Sequence, residues 1–217
     1  VRHQDKQFVA HSFKDEQISE HQFYRCHFID CDFRGADLSE CSFIECNFFE
    51  SGEEKSCCFS GATLMDASFK KCDLSMAKFN YANCLGLEIR DSKALGCDFS
   101  RAAFSSQVSR NSFFCRAELT GNNLSYSNFQ GTTLEKCDLS ANRWNGANLK
   151  GASFVDSDLS QGEFRDIDWR SFDISGCDLR EAELGQLDVR QVNLQGVKIS
   201  HWQQQELLEA LGLIVFP

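Results

Sequence analysis

The sequence predicts an all-β chain wound as a four-sided parallel β-helix, and three observations predict it. An apolar residue returns at every fifth place, as at Leu179, Leu184, Val189, Leu194 and Ile199. A small residue stands two places before many of these beats, as at Cys26, Cys31, Ala36, Cys41 and Cys46. The single proline is Pro217, so every earlier position keeps the N–H that continuous backbone pairing needs. A helical face repeats at about 3.6 residues and a half-buried strand at about 2, so a period of five is neither.

The beat residue is the centre of its unit. A first run of centres is Phe8, Phe13, Ile18, Phe23, Phe28, Phe33, Leu38, Phe43 and Phe48. The phase then slips by one, resumes at Phe59, Leu64, Phe69, Leu74 and Phe79, and holds to Ile199, with Cys84 and Ala94 as weak centres and Ser109 unable to serve as one. Asp or Asn often precedes the centre, and Ser, Arg or Gly often follows it, as in CDFRG, ADLSE and CDLSM. If each unit makes one side of a square coil, the centre and the small residue point inward, and a narrow interior requires the second to be small. Four units then close a turn of about 20 residues, and turns stack at about 4.8 Å. Phe8, Phe28 and Phe48 form one predicted column, Phe13 and Phe33 a second, Phe23 and Phe43 a third, and Trp144, Phe164 and Leu184 a later one. About nine coils make a rod of ~45 Å. Residues 1–199 are assigned to this rod and 200–217 to a C-terminal helix and tail.

The net charge of −10 and pI of about 5.0 argue against direct binding to nucleic acid or an anionic membrane. No stretch approaches the roughly 18–20 apolar residues of a membrane span, and VRHQDKQFVAHSF has no apolar run after its basic residues, so it is not read as a secretory signal. Of the twelve cysteines, Cys26, Cys31, Cys41, Cys46, Cys57, Cys72, Cys97, Cys137 and Cys177 occupy the small inward position and Cys84 is a centre. Packing accounts for these, and only Cys58 and Cys115 fall outside the pattern. There is no CxxC pair, and a reducing cytoplasm, the expected location, disfavours disulfides. His11 and His21 take the small inward position, while His3, His27 and His201 read as surface residues. HExxH, GxxxxGK and GxSxG are all missing. No catalytic residue, metal or cofactor is expected, and the chain is not read as an enzyme.

Two departures interrupt the rod. Phe48 and Phe59 are eleven apart, so the chain must leave the coil and return, and the excursion is assigned to Glu50, Ser51, Gly52, Glu53, Glu54, Lys55 and Ser56. The second is Ser105, Ser106, Gln107, Val108, Ser109, Arg110, Asn111, Ser112 and Phe113, where the phase is kept and Val108 and Phe113 are candidate anchors. Solenoids carry specificity on such departures, so both loops are candidate partner-binding elements.

Before the centres of the C-terminal half stand Asp158, Glu163, Asp168, Asp173, Asp178, Glu183 and Asp188. Asp138, Asp158 and Asp178 should stack, and Glu118 and Asp98 extend the column if the second loop preserves the count of sides. Turn chemistry alone explains an Asp at this place; a straight acidic rod that imitates duplex DNA is the functional alternative. After Ile199, Trp202, Leu207, Leu208 and Leu211 fall in a helical pattern, with Ser200 and Gln203 as a capping box and Gly212 as a stop. Together with the tail Leu213, Ile214, Val215 and Phe216, these residues predict a two-fold dimer through the C-terminal end.

The repeated unit resembles that of the pentapeptide-repeat proteins over nearly the whole chain, which implies a right-handed quadrilateral parallel β-helix. The two loops, with FESG, SRAAF, QVS, FFC, LEKCDLS, NRWNGANL, VNLQGVKI and WQQQELL, further resemble the Qnr quinolone-resistance proteins end to end. That resemblance implies binding to DNA gyrase and topoisomerase IV, protection of them from quinolones, protection carried by the two loops, no catalytic residues, partial DNA mimicry and C-terminal dimerisation. The alternatives are a DNA mimic that inhibits gyrase, and a structural scaffold without topoisomerase contact.

Overall fold

In a computed structural model, residues 1–52, 55–109 and 112–216 are described. The chain winds as the expected four-sided parallel β-helix. Naming its walls by the centres of one coil, face 1 carries Phe23, face 2 Phe28, face 3 Phe33 and face 4 Leu38. Face 1 is a six-stranded parallel sheet of Arg2–Gln4, Gln22–Tyr24, Ser42–Ile44, Ser68–Lys70, Leu87–Arg90 and Ala117–Thr120. It continues as single bridges, Glu118 to Asp138 to Asp158 to Asp178.

The fifth residue of the unit turns the corner. Non-glycine residues there, among them Arg25, Glu45, Asp66, Met76 and Tyr126, have φ between +46° and +62°. At many corners the next small residue closes a β-turn, as where Ala62 N–H donates to Phe59 O at 3.0 Å. The residue before the centre supports the same turn. Asp37, Asp73, Asp98, Asp138, Asp158 and Asp173 each accept from the N–H two places on, and Asn123, Asn128 and Asn148 do the same.

The predicted columns stand. Phe8 stacks on Phe28 at 5.0 Å, Phe28 on Phe48 at 4.7 Å, Phe23 on Phe43 at 4.8 Å, and Trp144 on Phe164 at 6.4 Å. Face 3 carries the longest run: Phe13, Phe33, Phe59, Phe79, Phe99 and Phe129 follow one another at 4.4–4.8 Å. This column crosses both loop departures unbroken, because each loop leaves and re-enters at a corner while the wall closes beneath it. Paired residues are 20 apart before the first departure (Gln22 with Ser42), 26 apart across it (Ser42 with Ser68) and 30 apart across the second (Leu87 with Ala117). Cys84 and Ala94 are fully buried centres in the coil that also buries Leu87.

The small inward position has a second function. Cys41, Cys97 and Cys177 each donate Sγ–H at 2.9 Å to a backbone carbonyl of the preceding coil. Where the turn bond is missing, an inward polar residue one coil on supplies the acceptor: Cys72 N–H donates to Ser92 Oγ, Ser92 N–H to Asn122 Oδ1, and Asn122 N–H to Asn142 Oδ1. These polar groups are buried and satisfied, as burial requires.

Four expectations need correction. His3 is not simply a surface residue: it takes a centre position, stacks on Phe23 at 4.6 Å and shares a 3.2 Å hydrogen bond with His21, and burial lowers both pKa values. The beat does not hold evenly to Ile199. On face 3 the small position is filled by Ile167 and Leu187, which are too large for it, so the wall becomes a 3-10 turn at Trp169–Ser171 and a turn at Val189, which is only half-buried. Phe114 falls on the beat, yet it lies in a hairpin and is exposed. Ser200 and Gln203 form only half a capping box. The Gln203 Oε1 accepts from Ser200 N–H at 2.7 Å, while the Ser200 hydroxyl donates instead to the Glu181 carboxylate.

Candidate functional site

The first departure is a short antiparallel hairpin, Phe49–Glu50 against Lys55–Ser56. Ser56 Oγ donates to Met76 O at 2.9 Å, and Lys55 Nζ lies 3.7 Å from Asp30. Ser51 and Gly52 are exposed; Glu53 and Glu54 lie outside the described residues. The second departure is longer. Ser105–Ser109 pairs antiparallel with Ser112–Cys115, with a bulge at Val108, so the hairpin extends two residues beyond the predicted Phe113. Val108, Phe113 and Phe114 are 67%, 48% and 46% exposed, three large apolar residues in a hairpin otherwise rich in Ser. Arg110 and Asn111 lie outside the described residues. The first hairpin leaves between Phe48 on face 2 and Phe59 on face 3, and the second between Phe104 on face 4 and Leu119 on face 1. They therefore project from opposite corners, about two and a half coils or ~12 Å apart along the axis.

The acidic column is real but differs in membership. Glu118, Asp138, Asp158 and Asp178 stack on face 1. Asp98 is not among them: it lies on face 3, between Lys78 and Asn128. The cause is the second hairpin, which takes two sides' worth of residues out of the coil, so a step of 20 across it lands on the wrong wall. Glu88, paired directly with Glu118, holds the place instead. A count of residues between Phe104 and Leu119 is the clue that finds it. The column is partly compensated at its ends. Arg90 reaches Glu88 at 3.2 Å and Glu118 at 2.6 Å, and Arg180 makes a bidentate pair with Asp178, whose pKa it lowers. Asp138 and Asp158 stand between these arginines.

At the C-terminal end, Gln203–Ala210 forms the helix, closed by Gly212 at φ +83°. Gln203 is fully buried and was not anticipated as an end cap. Its Nε2 donates to Leu179 O at 2.9 Å and Ala182 O at 2.8 Å, carbonyls that no further coil satisfies. Leu207, Leu208 and Val215 are half-buried, while Trp202, Leu211, Leu213, Ile214 and Phe216 are exposed, the last two at 80% and 82%. Among the described residues, no group of three or more His, Cys, Asp or Glu is placed to hold a metal, and no helix is long and apolar enough to cross a membrane.

Comparison with known proteins gives three results. The family described as pentapeptide repeats matches in eight copies, over residues 22–50, 57–93, 97–135 and 134–168. The pentapeptide repeat protein QnrB4 of Escherichia coli is 51% identical over 91 residues, which span 42% of each chain. The pentapeptide repeat protein VPA0095 of Vibrio parahaemolyticus is 49% identical over 142 residues, 65% of this chain and 66% of that one. The aligned stretches thus cover less than two thirds of these relatives. The solved structure of full-length QnrB1, a plasmid-mediated fluoroquinolone resistance protein, superposes with a TM-score of 0.96 at 45% identity, covering 98% of this chain and 100% of that one.

Proposed function

The chain belongs to the pentapeptide-repeat family, among the Qnr quinolone-resistance proteins, and from that premise we propose that it binds DNA gyrase and topoisomerase IV and protects them from quinolones. The observation that carries this reading is the second hairpin, whose exposed Val108, Phe113 and Phe114 stand at the corner adjoining the acidic wall of face 1. A rod that only imitated DNA would need no such apolar projection. The hairpin supplies desolvated anchors, and the wall supplies complementarity to a basic enzyme groove, which steers association and sets register.

Turn chemistry is satisfied by Asn as well as by Asp, as Asn128 and Asn148 demonstrate on face 3. The acids of face 1 are therefore more than the turn requires. Five acids at about 4.8 Å per step are a sparse imitation of duplex DNA, which carries a charge per ~1.7 Å. This is the support for partial DNA mimicry, and it also keeps a second reading in view, inhibition of gyrase by competition with DNA. Dimerisation belongs to the same proposal: the exposed apolar residues of the C-terminal end fit a second copy of that end, which would double the length of the rod. Action in the cytoplasm, where the topoisomerases work, completes it.

Gyrase supercoiling at a fixed inhibitory dose of a fluoroquinolone tests the reading. Titrated protein should restore activity at low concentration and inhibit only at high concentration. Deletion of residues 105–113 should abolish the recovery while the fold is kept. Inhibition without recovery would favour the DNA competitor, and no effect at any concentration the scaffold.

A further inference from the structure

The second hairpin is tied to the rod at its base by Arg116, beside the bond from Cys115 Sγ to Thr133 O at 3.6 Å. Arg116 directly follows Cys115, the last residue of the hairpin, and its N–H donates to Phe104 O at 3.2 Å, which closes the stem against the residue before Ser105. Its carbonyl accepts from Gly86 N–H at 2.6 Å. Its guanidinium then passes over Gly86 to pair with the Asp66 carboxylate, two coils away along the same corner. Gly86 makes this passage possible: at φ +77°, a Cβ there would lie 2.7 Å from Arg116 Nη2 and would collide with the Asp66 carboxylate. Side chains of the coil below also lie over other corner glycines, as Met76 does over Gly96 and Tyr126 over Gly146, but at Gly86 the side chain that lies there is half of an ion pair reaching the base of the hairpin.

We infer that the Asp66–Arg116 ion pair is a positioning device, which fixes the pose in which the second hairpin meets its partner. The inference rests on the reading of that hairpin as a topoisomerase-contacting element. Both side chains are largely exposed, at 58% and 43%, and pairs of this kind add little to global stability. A role in folding therefore does not account for the arrangement. A role in holding a projecting hairpin does, because residues 107–109 and 112–114 stand exposed off the coil, and a small bias at the base decides their direction.

The test uses the full chain with Arg116→Gln, Asp66→Asn and the swap Asp66→Arg with Arg116→Asp. The corner tolerates the swap, since Arg25 and Arg101 already adopt φ of +49° and +58° at corners. Amide hydrogen exchange at Ser105–Ser109 and Ser112–Cys115 should speed up about two- to fivefold in each single variant, the range an exposed ion pair supports. Exchange in the strands of face 1 and the thermal midpoint should stay as they are. The concentration giving half-maximal recovery of drug-inhibited gyrase should rise by a similar factor, and the swap should restore both readouts. Unaltered exchange in the single variants, no restoration by the swap, or faster exchange with undiminished recovery would each overturn the inference. If the unaltered protein gives no recovery at all, the proposed function falls and the positioning role falls with it, while exchange alone still decides whether the ion pair holds the hairpin.

Discussion

Faces 1 and 3 run through the same coils, built from the same five-residue unit, and are used differently. Face 3 stacks six phenylalanines inside and alternates Lys78, Asp98, Asn128 and Asn148 outside. Face 1 moves from phenylalanine to Ile89, Leu119, Leu139, Leu159 and Leu179 inside, and presents Glu88, Glu118, Asp138, Asp158 and Asp178 outside. One wall concentrates aromatic packing and the other charge. The repeat permits this because the inward and outward positions of a unit are independent: the interior asks only for an apolar residue of suitable size, and the turn accepts Asp and Asn alike.

The comparison predicts effects of descending size. Phe79→Ala, in the middle of the face 3 column, should cost about 3–5 kcal/mol by urea denaturation, with the lost transfer energy joined by a cavity that a narrow coil cannot collapse. A loss near 1 kcal/mol would mean that the column is not a spine. Gln203→Leu leaves the Ala182 carbonyl without its Gln203 partner and the Leu179 carbonyl with only the turn bond from Ala182 N–H, and should cost about 1–3 kcal/mol. Asp138→Asn with Asp158→Asn keeps both turns and removes a like-charge contact, so the denaturation midpoint should hold or rise. Gyrase affinity should fall about three- to tenfold, with a shallower dependence on salt. Equal loss from Asp98→Asn on face 3 would remove the distinction between the walls.

The smallest effect is a matter of pH. The Arg180 guanidinium, hydrogen-bonded to Asp178, holds that carboxyl below its ordinary range. A group whose folded pKa is depressed contributes stability that is complete above the unfolded value, about pH 4, and is lost as pH falls through the folded one. Asp178→Asn should therefore lower stability by a constant amount above about pH 4, with no change of slope near pH 7, and flatten the acid limb below it. A flattening that appeared near neutrality would contradict the assignment.

Much of the site was legible before any coordinates. Both hairpins were located from a slipped phase at Phe59 and a failed centre at Ser109, and the stacking of Asp138, Asp158 and Asp178 from the step of 20. Phe114 was missed because it falls on the beat and reads as core. Glu88 was missed because a hairpin that removes a whole number of sides leaves no mark on the phase. Gln203 read as a helix cap rather than as a cap on the last coil.

The sequence by itself determined which way side chains point within the regular coils, since that follows from a local rule repeated from unit to unit and needs no knowledge of distant residues. It determined the columns within each uninterrupted run for the same reason. Only the tertiary structure decided which unit lies above which across an interruption, where Ile167 and Leu187 force the wall of face 3 open, and how Arg116 reaches Asp66 over Gly86. Those are questions of long-range pairing and of volume shared among walls, and a period of five residues carries no information about either.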